Sequence, residues 1–135
     1  MAHPLHYPAD MEQRILVIDD EEPILFAMRE YFATQGYQVD CAREMEEAEA
    51  LLANLSYALV IADLCLTGAY GAEGLEIVRF VKKRFPRTRI ILLTAYGSPE
   101  IEMESRRRGV DVFLHKPMPL PELAQIAARL LETER

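Results

Sequence analysis

Leu59-Val60-Ile61-Ala62-Asp63 is an apolar run that ends in a carboxylate. Hydrophobic residues without polar alternation read as a strand covered on both faces, the pattern of a central strand in a parallel sheet. The Asp at its end then stands on the rim of the sheet, where a nucleophile or a metal ligand belongs. Three other stretches share this grammar: Ile15-Leu16-Val17-Ile18-Asp19-Asp20, Ile90-Ile91-Leu92-Leu93-Thr94 and Val112-Phe113-Leu114-His115-Lys116-Pro117. Each is a short hydrophobic run with polar chemistry only at its C-terminal end. In an open α/β sheet, ligands bind in the crevice outside the carboxyl ends of the strands.

The segments between these runs predict helices. Asp19-Asp20-Glu21 would cap the first, with Pro23 in its first turn, a buried stripe of Ile24, Leu25, Met28, Tyr31 and Phe32, and Gly36 ending it. A strand over 38–41 leads to a helix over 45–55 with Ala48, Leu51, Leu52 and Leu55 inward. After the strand over 58–62 comes a glycine-marked loop, 64–73, and a helix over 74–85 with Leu75, Val78 and Val81 on its inner face. A strand over 89–94 precedes a helix over 99–108, whose apolar anchors are few (Ile101 and Met103) and which should therefore be weakly held. The last strand spans 110–115, and the last helix, 120–131, buries Leu123, Ile126, Ala127 and Leu130. Strands alternating with helices at this spacing predict one α/β domain with a five-stranded parallel sheet, order 2-1-3-4-5, and helices on both faces. Residues 1–13 read as a flexible N-terminal extension and 14–135 as the folded domain.

Composition narrows the function classes. A chain of 135 residues, 27% charged and half apolar, has the balance of a globular domain with a sizeable core. Its net charge of −7 argues against general nucleic-acid binding. The basic runs Lys82-Lys83-Arg84 and Arg106-Arg107-Arg108 read as solvated helix faces. Cys41 and Cys65 supply no disulfide framework. No apolar run approaches the ~20 residues that cross a bilayer, and residues 1–10 lack a signal-peptide core. A soluble cytoplasmic protein is expected, with no membrane partner and no nucleic-acid contact by this domain.

With the sheet ordered 2-1-3-4-5, the first and third strands are neighbours where the winding reverses. Asp19, Asp20 and Asp63 then converge at the carboxyl edge. Three close carboxylates repel one another unless a cation sits between them, and hard oxygen donors at a solvent-exposed cleft suit Mg²⁺ shared with a phosphate. Lys116 brings positive charge to where a transferring phosphoryl group gathers negative charge, and Thr94 offers a hydroxyl donor. His115 reads as a bystander, because strand alternation turns it away from Lys116. Cys65 follows Asp63 closely and either lines the site or faces away.

Ile15-Leu16-Val17-Ile18-Asp19-Asp20-Glu21, Val60-Ile61-Ala62-Asp63-Leu64, Leu92-Leu93-Thr94-Ala95 and Phe113-Leu114-His115-Lys116-Pro117 together resemble the receiver domain of two-component response regulators, over residues 14–131. The resemblance implies a flavodoxin-like fold and a phosphoacceptor role for Asp63, served by a sensor histidine kinase or phosphotransfer protein. It implies that Asp20, Asp63 and the Cys65 backbone carbonyl hold Mg²⁺, with Asp19 acting partly through water. It further implies that Lys116 pairs with the phosphoryl group, that Thr94 and Phe113 form a switch, and that Pro117 follows a cis bond. Such a chain catalyses its own phosphorylation and slow dephosphorylation without being a turnover enzyme.

The chain departs from the family pattern after Asp63. Leu66-Thr67 stand where Met-Pro is common, and Gly74 is reached about three residues late, through a loop that presents Tyr70 to a partner. Tyr96 and Cys65 are placed to slow loss of the phosphoryl group. The 99–131 face is a candidate homodimer surface. Two other classes fit the same topology: an interaction domain that works without phosphorylation, and a metal-dependent hydrolase with an aspartyl-phosphate intermediate. No output module is recognisable, which leaves a stand-alone receiver or the front end of a larger regulator.

Overall fold

In the computed structural model the described residues are 14–63, 72–95 and 97–132. Five strands alternate with five helices among them: β1 (Arg14–Ile18), α1 (Glu22–Thr34), β2 (Gln38–Ala42), α2 (Met45–Asn54), β3 (Leu59–Asp63), α3 (Ala72–Arg84), β4 (Arg89–Thr94), α4 (Pro99–Arg107), β5 (Val112–His115) and α5 (Leu120–Glu132). All strand pairings are parallel and the order is β2-β1-β3-β4-β5, as the strand-end pattern predicts. The register sets Ile18 against Ala62, Asp63 against Leu93, and Thr94 against His115. The polar residues that end β1, β3, β4 and β5 therefore share one edge of the sheet.

Strand periodicity of two divides the core. Ile15, Val17, Leu59, Ile61, Ile91 and Leu93 pack with Leu25, Met28 and Phe32 of α1 and Leu123 and Ala127 of α5. Leu16, Ile18, Val60, Ala62, Ile90, Leu92 and Phe113 face the other way, toward Ala48 and Leu52 of α2 and Ile77, Val78 and Val81 of α3. Both faces of the central strands are covered, which is why their sequence shows no alternation.

Several expectations are corrected. Leu55 is exposed, because α2 ends at Asn54 and residue 55 has extended backbone (φ −134°, ψ 151°), so the helical period never turns it inward. Met103 anchors nothing and is 62% exposed. The last strand begins at Val112 rather than 110. The Val110 N–H closes the end of α4 on the Ser105 carbonyl (3.0 Å), so that residue belongs to a helix terminus. Ile77, absent from the expected inner face of α3, is fully buried.

Candidate functional site

The turn after β1 begins with a carboxylate that does not cap α1. Glu21 holds the N-cap position with extended backbone and without a side-chain cap. Asp19 lies two residues earlier. Its N–H donates to the Ala42 carbonyl at 3.0 Å, and its Oδ1 accepts the Glu21 N–H at 2.9 Å. These two bonds fix the carboxylate and leave Oδ2 directed at Lys116, whose Nζ stands 3.3 Å away.

Lys116 reaches the site from the opposite side of the switch point. Its N–H donates to the Thr94 carbonyl at 2.7 Å, tying β5 to the end of β4, and the Lys116–Pro117 peptide is cis. The ammonium also lies 3.5 Å from Asp63 Oδ1, so one cation bridges two carboxylates that are 2% and 7% exposed. Burial, the largest single influence, pulls the Lys116 pKa down; Asp19 and Asp63 outweigh it, and the net direction is up. Ionised buried carboxylates need such a partner, because desolvation without one is costly.

Carboxylate oxygens of Asp19, Asp20 and Glu21 all lie within 4.8 Å of one another, and the last two residues reach solvent. An all-oxygen donor set of this kind fits a hard divalent cation. The sequence singled out Asp19, Asp20 and Asp63 as the converging trio. The structure gathers the first two with Glu21, and joins Asp63 to Asp19 through the Lys116 ammonium. Glu21 was missed because it follows the strand, where a period of two no longer tells which way a side chain points.

Thr94 is fully buried at the end of β4, beside β5. Phe113 pairs with Leu92 across those strands and is buried, its ring set edge-on to His115 with centroids 5.6 Å apart. His115 itself is exposed, with its ring against Phe113. Cys65, Tyr70 and Tyr96 lie outside the described residues. No helix among the described residues is long and apolar enough to cross a membrane.

A family model, the response regulator receiver domain, matches residues 15–128. The chain is 30% identical over 119 residues to response regulator protein PilR of Pseudomonas aeruginosa, a match covering 88% of this chain and 26% of that protein. Its structure is similar to the CheY-like response regulator receiver domain protein of Methanospirillum hungatei, with TM-score 0.83 and 28% identity, over 89% of this chain and 94% of the other. It is also similar to a Burkholderia pseudomallei response regulator solved with a phosphorylated aspartic acid, a calcium ion and citrate, with TM-score 0.75 and 25% identity, over 90% and 75% of the two chains. The chain spans about a quarter of the length of the curated relatives it matches first.

Proposed function

The chain belongs to the response regulator receiver domain family, and from that premise we propose that Asp63 is the residue that accepts the phosphoryl group. The observation that carries this reading is the Lys116 ammonium held between Asp19 and Asp63. An Asp63 carboxylate oxygen attacks phosphorus, the bond from phosphorus to the donor's imidazole nitrogen breaks, and the electron pair leaves with the imidazole. Lys116 then faces the charge that collects on the phosphoryl oxygens, as transfer through a loose transition state requires. Thr94, whose carbonyl already receives the Lys116 N–H, supplies a hydroxyl to the same oxygens, and Phe113 follows it. Water later cleaves the acyl phosphate and releases inorganic phosphate.

Asp20, Asp63 and the Cys65 carbonyl would hold Mg²⁺, with Asp19 acting partly through water and Glu21 grouped with Asp19 and Asp20. When bound, the ion supplies positive charge that lets carboxylates and phosphoryl oxygens share one notch. The phosphodonor is a phosphohistidine on a sensor kinase or phosphotransfer protein. Tyr96 and Cys65 are assigned to shielding the acyl phosphate from water. A second copy docks through the 99–131 face, where Met103 is exposed.

Intact mass after incubation with acetyl phosphate and Mg²⁺ tests the reading. The wild type should gain one phosphoryl group, and Asp63→Asn or omission of Mg²⁺ should abolish the gain. An unmodified wild type would refute the assignment.

A further inference from the structure

Gly97 follows Thr94 by three residues, on the approach to α4. Its backbone lies outside the left-handed region, since the positive-φ glycines among the described residues are Gly36 and Gly109. Any L-residue can adopt that conformation, so glycine is not needed there for its torsional freedom. What it supplies is room. A Cβ built on residue 97 would stand 2.8 Å from Thr94 Cγ2, 3.0 Å from Phe113 Cζ and 3.1 Å from Phe113 Cε1. Comfortable carbon–carbon contacts lie near 3.5–4.0 Å, so all three distances are overlaps.

Neither neighbour yields equally. Thr94 is β-branched, stiff at χ1 and fully buried on β4. Phe113 is a larger, unbranched-at-Cβ side chain on β5, the edge strand, with its ring beside the exposed His115. A side chain at 97 would therefore displace the ring before the threonine. The same geometry works in reverse. Rotation of Thr94 about Cα–Cβ moves its methyl off the residue-97 backbone, and the Phe113 ring must follow or leave a void.

We propose that Gly97 is the positioning residue of this switch: its own backbone closes directly over the Thr94 methyl and the Phe113 ring, and only a residue without a side chain lets the three pack as one unit. The proposal rests on the reading of Thr94 and Phe113 as switch residues given above.

Fluorine NMR on protein carrying fluorophenylalanine tests it, with the Phe113 signal assigned by its loss in Phe113→Leu. In the unphosphorylated wild type the Phe113 signal should be that of a buried ring. Gly97→Ala should reduce the buried population roughly tenfold, the effect of a modest overpacking penalty. Thr94→Ser removes the nearest contacting atom and leaves the two milder overlaps with the ring, so Gly97→Ala/Thr94→Ser should recover part of the buried signal. An unchanged ring in Gly97→Ala, or a displaced ring that the double variant fails to recover, would overturn the proposal. If Gly97→Ala does not fold, recovery of a folded, buried-ring double variant supports it and failure to recover overturns it. A second arm adds acetyl phosphate and Mg²⁺. The wild-type ring signal should shift as mass is gained, whereas Gly97→Ala should gain the same mass without a further shift. A wild type that gains no mass defeats the phosphoacceptor reading and leaves the resting-state result to decide the packing.

Discussion

The Lys116 ammonium stands 3.5 Å from Asp63 Oδ1 while also holding Asp19 at 3.3 Å. Removing the cation leaves two buried carboxylates facing one another. Lys116→Met should cost about 1–3 kcal/mol, below the usual figure for breaking a buried pair because the lysine is partly open to solvent. Divalent cations should restore part of that loss, since they substitute for the missing charge. Urea denaturation with and without Mg²⁺ measures both effects. Equal midpoints for the two proteins in chelator would show that the bridge carries no stability.

At the opposite edge of the sheet, Asp111 is a structural hub. Its Oδ2 accepts the Ile90 N–H at 2.8 Å and faces Lys82 Nζ at 3.1 Å, while Oδ1 faces Arg89 Nη1 at 3.5 Å. Lys82 comes from α3, passes over Gly109 and also donates to the Thr88 carbonyl at 2.8 Å. Asp111→Ala should destabilise by about 2–4 kcal/mol, since it takes a partner from two half-buried cations and from a backbone donor. Asp111→Asn keeps an acceptor for Ile90 and should cost roughly half as much. Phosphoryl uptake by the folded Asn variant should be unchanged, because the hub and the site occupy opposite ends of the strands. A variant with normal stability and impaired uptake would contradict this division.

The topology and the position of the site were legible because both follow from strand periodicity and from what stands at each strand's end. Ile18, Ala62, Leu93 and Thr94 fall in the register that brings Asp19, Asp63 and Lys116 together. Features set by tertiary approach were not legible. Leu55 continues a helical stripe in the sequence, yet the chain leaves the helix just before it. Ile77 was overlooked because α3 buries a wider face than a three-residue stripe describes. Gly97 looks like an ordinary turn glycine until the neighbouring strand brings Phe113 beside it. The Asp19 carboxylate reads locally as a helix cap, and only the distant Lys116 gives its second oxygen a partner.

Tyr57 should govern part of the alkaline behaviour. Its hydroxyl donates to Asp40 Oδ2 at 2.6 Å, and Arg14 Nη1 lies 3.4 Å from the same oxygen. Burial first, and the Asp40 hydrogen bond second, push the phenol pKa well above its ordinary value. An unfolded tyrosine releases its proton near pH 10, whereas the folded one still holds it there. The native state then binds more protons, so this contribution is fully present below about pH 10 and is lost as pH rises through the folded pKa. Tyr37, raised by burial and then by Glu132, and Lys116 act in the same direction. Tyr57→Phe should therefore be about 1–2 kcal/mol less stable at neutral pH and lose less stability on alkaline titration. A denaturation series read against pH checks this, and parallel curves for the two proteins would remove Tyr57 from the account.

Helix α4 should be the first described helix to open. Its charges are largely satisfied along its own surface: Arg106 meets Glu102 at 2.7 Å, Arg107 meets Glu104 at 2.6 Å, and Arg108 meets Glu104 at 2.8 Å while reaching Glu76 of α3 at 3.7 Å. Exposed pairs of this kind contribute little and are screened by salt. Ser98 caps the helix by accepting the Ile101 N–H at 3.2 Å, but Ser105 is the only α4 residue that is buried, whereas α5 buries Leu123, Ala124 and Ala127. Local opening costs least where little apolar surface is covered. Amide exchange should accordingly be at least roughly tenfold faster in α4 than in α5, and added salt should widen the gap. Met103→Lys should leave the unfolding free energy within about 0.5 kcal/mol of the wild type, as expected of a surface change. Equal protection of the two helices would mean that α4 is held by more than its visible contacts.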